Sequence, residues 1–128
     1  MAVEYVIVAR GNPANPTEPK KFYAHARSSG EVSIRELAKE IAGMSTVSSI
    51  DTLAVLEALL QLLPKHIAEG RIVRLGDFGS FGLTISSEGA ATEGEVSASL
   101  IRNNHIRFRP GREVKRVLDT IQYRKVSS

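Results

Sequence analysis

The chain has 128 residues, of which 42% are hydrophobic and 24% charged, which fits one globular domain, alone or with a small added segment. It has no cysteine, which excludes disulfides and thiolate metal sites, and no apolar run of about 18 residues, so no transmembrane helix is predicted. The net charge of +3 is unevenly distributed, because residues 102–128 hold eight basic and two acidic side chains while residues 33–101 are net acidic.

The first 30 residues form a predicted strand–loop–strand extension. Residues 2–9 have strand composition, residues 11–20 hold three prolines and two asparagines and predict a loop, and residues 21–27 predict a second strand. The apolar run follows Met1 directly, without a basic segment or a small-residue cleavage site, which argues against a signal peptide and favours a cytoplasmic protein. We divide the chain into this extension, residues 1–30, and a main domain over residues 31–128.

Two helices follow, and each begins with a capping box. Ser33 and Glu36 predict the start of the first helix, which Gly43 ends, and Ser48 and Asp51 predict the start of the second, which runs to about residue 69.

The second helix is apolar over most of its circumference. Between residues 53 and 63 only Glu57 and Gln61 are polar, so most sides of this helix must be buried. Either a second copy of the chain covers it, or it is the core helix of a single chain. In the first case the candidate dimer core comprises Leu53, Leu56, Leu59, Leu60, Leu63, Phe78, Phe81 and Phe108.

Residues 71–83 form the corner around which the rest of the chain is organised. Residues 72–75 predict a short strand, Gly76 and Asp77 a two-residue hairpin turn, and Phe78 and Phe81 are each followed by a glycine. The next segment, residues 84–101, is small, polar and acidic, with three glutamates and no basic residue. It predicts either a hairpin arm or a short helical turn from residue 92 to about 99.

The C-terminal part carries most of the positive charge. Residues 105–109 alternate, with Ile106 and Phe108 on one face of a predicted strand and Arg107 and Arg109 on the other. A turn and a final helix follow, and its predicted apolar stripe comprises Val114, Val117, Leu118 and Ile121. Guanidinium groups suit phosphate oxygens, so this basic surface predicts salt-dependent binding to the DNA backbone without sequence readout. The candidate DNA-binding residues are Arg102, Arg107, Arg109, Arg112, Lys115 and Arg116.

No pattern indicates an enzyme. The three histidines lie on three different predicted elements, and no zinc-binding spacing, phosphate-binding glycine loop or nucleophile with a plausible base occurs. We therefore predict no catalytic residue, metal site, cofactor or small-molecule substrate.

The order of these elements and two motifs resemble the bacterial HU/IHF family of histone-like DNA-binding proteins over about residues 33–120. The motifs are G-x-x-V-x-L-x-x-F-G-x-F at the corner and F-x-P-G-x-x-x-K near the end. They are formed by Gly70, Val73, Leu75, Phe78, Gly79 and Phe81, and by Phe108, Pro110, Gly111 and Lys115. The resemblance implies an α+β fold with two N-terminal helices, an antiparallel sheet with an arm or hairpin, a C-terminal helix and an intertwined homodimer. It also implies binding to double-stranded DNA at the minor groove, with bending.

The arm departs from that family. Members carry a long basic arm whose tip proline inserts between base pairs, whereas residues 84–101 have no proline and are acidic. Intercalation and arm wrapping are therefore not carried over. The N-terminal extension is also additional, and the chain resembles a divergent branch of HU-like proteins with such a strand-forming segment.

Two functions follow from these observations. The first is a non-sequence-specific, histone-like, nucleoid-associated architectural protein that binds DNA as a dimer through its last strand and helix. The second is an HU-fold dimerisation and protein-interaction module that has lost DNA binding, with an exposed edge strand at residues 4–9 to recruit a partner strand. The two differ in whether the arginines form a continuous positive face or are paired with Glu88, Glu93, Glu95 and Glu113.

Overall fold

The computed structural model describes residues 2–127, which form an α+β fold of six strands, three α-helices and short 3₁₀ turns. These residues divide into two compact units. One contains the residues up to 33 together with those from 117 onward, and the other contains residues 34–116. The grouping of both chain ends in one unit depends on a long-range strand pairing that local sequence patterns do not reveal. The domain boundary at residue 30 stays a prediction.

The unit formed by the chain ends contains a three-stranded mixed sheet. Its central strand β1 (Ala2–Arg10) pairs antiparallel with β2 (Lys21–Ala26) and parallel with β6 (Gln122–Lys125). The two strands predicted in the extension are thus confirmed. The expectation that residues 4–9 form an exposed edge is wrong at Glu4 and Tyr5, where β6 pairs with the side of β1 that β2 leaves open, while the register of β6 does not reach residues 6–9.

The second unit begins with the two predicted helices, α1 (Ile34–Gly43) and α2 (Ser49–Ala68). The Ser48 hydroxyl accepts a hydrogen bond of 3.1 Å from the backbone N–H of Asp51, which satisfies one of the donors that the first turn leaves free. At the other end Gly70 has φ +83°, a conformation that glycine adopts without a steric penalty, and the helix stops there. Both helix starts and stops therefore lie close to the residues predicted from the sequence.

An antiparallel sheet of three strands completes this unit. Its strands are β3 (Val73–Arg74), β4 (Gly79–Ser87) and β5 (Ile101–Pro110), with β4 in the middle. Residues 88–100 connect β4 to β5 and contain two 3₁₀ turns, Glu93–Glu95 and Ala98–Leu100. Each alternative for residues 84–101 is thus present in part, a hairpin at the ends of the segment and helical turns in its middle.

Two local predictions are wrong. Residues Gly76–Phe78 form a 3₁₀ turn, closed by the Phe78 N–H on the Leu75 carbonyl at 3.2 Å, instead of a two-residue hairpin turn. The final helix, α3 (Arg112–Leu118), ends before Ile121 because β6 begins at the next residue and pairs with β1. Pairing with a distant strand outweighs the helical spacing of Ile121, as tertiary context often overrides local propensity.

The single chain encloses very little apolar surface. Within residues 2–127 the buried apolar side chains are Ala38 and Ile67. On α2, the side chains of Val55 and Leu60 are 67% and 50% exposed. Water is a poor environment for such side chains, and contiguous exposed apolar patches are typical of interaction surfaces. No helix in the described part of the chain is long and apolar enough to span a bilayer.

Candidate nucleic-acid interface

One face of the β3–β4–β5 sheet is basic. Arg107 and Arg109 occupy alternate positions of β5, so their side chains leave the same face of the sheet. On β4 their cross-strand partners are Gly82 and Ser80. On its other side Ser80 pairs with Arg74 of β3. Arg74 and the two arginines of β5 therefore lie on one face of the sheet, on either side of the central strand β4.

The three arginines line an open groove of about 290 Å³. Its lining residues are Ile72, Arg74, Ser80, Gly82, Leu83, Thr84, Arg107 and Arg109. The central strand contributes glycine, serine and threonine beneath the arginines, so the backbone and small hydroxyl groups form a floor that a flat anionic surface can approach. None of the lining residues is acidic.

The six arginines and lysines proposed from the sequence fall into two classes. Three form ion pairs: Arg102 with Glu88 at 2.8 Å, Arg112 with Asp77 at 3.4 Å and Arg116 with Glu113 at 2.5 Å. In contrast, within residues 2–127 no ion pair involves Arg107, Arg109, Lys115 or the groove residue Arg74. The positive face of the groove is therefore free of protein carboxylates, whereas its surroundings are partly neutralised.

The ion pairs lie at the surface, where water and salt screen them. Both side chains of each pair are more than half exposed. The Glu88 carboxylate accepts a hydrogen bond from Arg102 and so raises the pKa of that guanidinium above its ordinary value. The guanidinium is already fully charged at neutral pH, so the pairing leaves its charge unchanged and affects only how readily it can bind another anion.

An aromatic cluster on the opposite face fixes the orientation of the basic face. The ring centroids of Phe81 and Phe108, which are cross-strand partners, are 4.8 Å apart, and those of Phe78 and Phe108 are 5.3 Å apart. Because side chains alternate along β5, packing Phe108 against this cluster directs its neighbours Arg107 and Arg109 to the groove face.

Gly79 and Gly111 hold β4, β5 and α3 at close range. A Cβ on Gly79 would lie 2.3 Å from the Arg109 carbonyl oxygen, and a Cβ on Gly111 would lie 2.3 Å from that of Asp77. The Gly111 N–H also donates to the Phe78 carbonyl at 2.8 Å. These backbone contacts set where α3 starts, and with it the position of Lys115.

The remaining residues of the predicted dimer core lie on α2. Leu53, Leu56 and Leu63 are half-buried, whereas Leu59 and Leu60 are exposed. Of the three phenylalanines, Phe81 is half-buried and Phe78 and Phe108 are more exposed. Within residues 2–127 no group of three or more histidine and carboxylate side chains is placed to hold a metal ion.

Arg74 is the site residue that the sequence analysis missed. The signal that could have found it is local, because Val73 and Leu75 are apolar and flank it in a short strand. Alternation places Arg74 on the face opposite to theirs, and the register with Ser80 then brings it to the same groove as Arg109.

Comparison with known proteins identifies the family. Residues 1–125 match the family model HU-HIG, described as an HU domain fused to wHTH, Ig, or Glycine-rich motif. The chain belongs to this HU-like family. No curated protein matches the sequence. Among solved structures, it is similar to a Bacteroides vulgatus protein whose assignment as a bacterial DNA-binding protein is provisional, with a TM-score of 0.63 and 8% identity. The match covers 99% of this chain and 49% of that protein, so this HU-like chain spans about half its length.

Proposed function

We propose that this HU-like protein is a histone-like, nucleoid-associated protein that binds the phosphate backbone of double-stranded DNA without reading its sequence. The observation that carries the proposal is the groove on the β3–β4–β5 sheet, where Arg74, Arg107 and Arg109 stand on one face and pair with no carboxylate of residues 2–127. Membership of the HU-like family and the fold shared with the provisionally DNA-binding Bacteroides protein support it.

The chemistry of the groove fits a sugar–phosphate backbone. Each guanidinium presents a planar fork of N–H donors that matches two phosphate oxygens, and its charge is held at every physiological pH. Arg107 and Arg109 are separated by one residue of an extended strand, which places their Cα atoms about 7 Å apart and lets them engage different phosphates. Such contacts carry no base information, so we expect affinity without sequence preference.

The ion-paired arginines form a second group of contacts. Arg102, Arg112 and Arg116 are held by exposed carboxylates, and bringing DNA phosphates close enough to recruit these arginines also brings the phosphates close to Glu88, Asp77 and Glu113. The repulsion offsets part of the attraction. Lys115 on α3 adds a charge that no carboxylate in the described part of the chain pairs with. This balance predicts moderate affinity carried mainly by the groove and Lys115.

The exposed apolar residues of α2 support the proposal of a dimer. The intertwined HU/IHF-like arrangement would bury Leu59, Leu60 and their neighbours between two copies and would double the basic surface. Two grooves would then contact one duplex, and the minor groove is the expected docking position in this family. We propose no intercalating wedge, because residues 84–101 contain no proline and carry only acidic charges.

Binding to a set of fluorescent duplexes tests sequence-independent recognition. The set comprises a random sequence, a permuted sequence of the same composition, and the random sequence with a central nick. We expect equal affinity for the first two, since phosphates are identical in both. Tighter binding to the nicked duplex, which bends at lower cost, would add an architectural role. A strong preference between the two intact duplexes would contradict backbone recognition, and no binding to any duplex at low salt would favour the protein-interaction module.

A further inference from the structure

The outer edge of β2 has unpaired backbone groups. The Arg27 N–H donates to the Glu4 carbonyl at 2.8 Å, so Arg27 points its backbone groups at β1. Along an antiparallel pair, residues that point their N–H and C=O groups at the partner strand alternate with residues that point them away. The backbone groups of Phe22, Ala24 and Ala26 therefore face away from β1. No strand in the described part of the chain pairs with them, since β2 is an edge of its sheet.

The same three residues belong to an apolar sheet face. Phe22, Ala24 and Ala26 lie opposite Ala9, Ile7 and Tyr5 of β1, so all six side chains leave the same face of the sheet. Phe22 is 73% exposed and Ile7 is 45% exposed. A depression of about 450 Å³ lies on this face, lined by Tyr5, Ala24, Ala26 and Tyr123. The two alanines at the edge leave room for a larger apolar side chain from outside.

Charge indicates what kind of chain can occupy the edge. Lys20 and Lys21 lie before Phe22, the first residue with outward-facing backbone groups, and Arg27 lies directly after Ala26, the last one. Within residues 2–127 none of these three basic side chains forms an ion pair. Antiparallel pairing of two β2 strands centred on Ala24 would bring Lys21 opposite Arg27 of the second copy. Like charges in direct cross-strand contact are destabilising, so the edge disfavours a second copy of itself and favours an acidic partner.

We propose that β2 is a docking site for an extended segment of a partner protein that carries acidic residues at both ends of an alternating apolar stretch. The segment adds a fourth strand to the sheet, with backbone hydrogen bonds to Phe22, Ala24 and Ala26. One of its apolar side chains fills the depression beside Tyr5 and Tyr123. Its acidic ends contact the two lysines and Arg27. This site is separate from the DNA groove and stands whether or not the protein binds DNA.

Binding of designed peptides to the whole protein tests this. The probe is a synthetic peptide that alternates valine and threonine and has two glutamates at each end. Matched controls replace the glutamates with lysines, or carry N-methyl groups on the backbone amides that would pair with β2. We expect the glutamate peptide to bind and the N-methylated peptide to bind at least roughly tenfold more weakly, the equivalent of one lost hydrogen bond. The lysine peptide should show no comparable binding.

Hydrogen exchange locates the contact and tests it without a protein variant. The bound glutamate peptide should slow amide exchange at Phe22, Ala24 and Ala26.

A substitution in β2 gives a second test. In the variant Ala24→Pro, the lost N–H faces outward, so the β1–β2 pairing is kept while peptide binding is lost. Ala24→Gly keeps that N–H, leaves the depression open and serves as the matched variant, which should still bind. Absent binding of the glutamate peptide, equal binding of the lysine or N-methylated peptide, or protection elsewhere in the chain would each overturn the proposal.

Discussion

Replacing Gly79 with alanine should strongly destabilise the unit that carries the basic groove. Gly79 is buried, has φ +145°, and accepts the Leu75 N–H at 2.9 Å. An alanine Cβ would lie 2.3 Å from the Arg109 carbonyl oxygen and 2.7 Å from the Phe108 ring. A non-glycine residue in this backbone conformation costs about 1–3 kcal/mol, and overpacking adds about 1–3 kcal/mol. We therefore expect the free energy of unfolding to fall by about 2–6 kcal/mol.

Urea denaturation followed by circular dichroism measures this change, with both proteins at the same chain concentration because a dimer's stability depends on concentration. Gly89→Ala is the matched control, since nothing lies within 4 Å of its added Cβ and its φ is ordinary. The control should change the free energy of unfolding by less than about 0.5 kcal/mol. Equal stabilities for Gly79→Ala and Gly89→Ala would refute the close contact between β4 and β5.

Three further changes test other parts of the structure. Ser48→Ala removes the helix cap and should lower the free energy of unfolding by about 1 kcal/mol in the same assay, and an unchanged midpoint would show that the cap is not formed. Leu60→Glu places a charge on the exposed face of α2 and should convert a dimer into monomers, which light scattering would detect as a halved molar mass. The equally exposed Val96→Glu should not, and equal effects would contradict an interface on α2. Asp77→Asn releases Arg112 and should tighten DNA binding several-fold, whereas weaker binding would show that the ion pair positions the arginine for DNA.

Local patterns in the sequence predict the elements that local physics determines. The cap at Ser48 and the glycine stop at Gly70 define α2 without reference to any other part of the chain. The alternation of Phe108 and Arg109 similarly predicts which face of β5 is basic. HU-like family membership rests on residues spread along the corner and the end of the chain, and the comparison with known families confirms it.

What the sequence did not reveal depends on pairing between distant residues. β6 forms only because β1 offers it an open edge, and no local pattern at Gln122–Lys125 distinguishes it from the end of a helix. Arg74 enters the groove through its register with Ser80. Glu88 and Glu113, two of the possible arginine partners named from the sequence, do pair with arginines, whereas the pairing of Asp77 with Arg112 across 35 residues of sequence was not predicted. The roles of the DNA-binding and dimer-core residues stay predictions.

The central claim is that the unpaired arginines of the groove neutralise DNA phosphates. Its most direct test is the slope of the logarithm of the binding constant against the logarithm of salt concentration, measured on a random duplex. The variant is Arg107→Gln with Arg109→Gln, and the control is Arg102→Gln, whose arginine is already paired with Glu88. Each lost phosphate contact lowers the slope by about 0.9, so we expect the double variant to lose about 2 for each chain that contacts DNA and the control to lose much less. A salt-independent wild type, or a double variant with the wild-type slope, would contradict the claim.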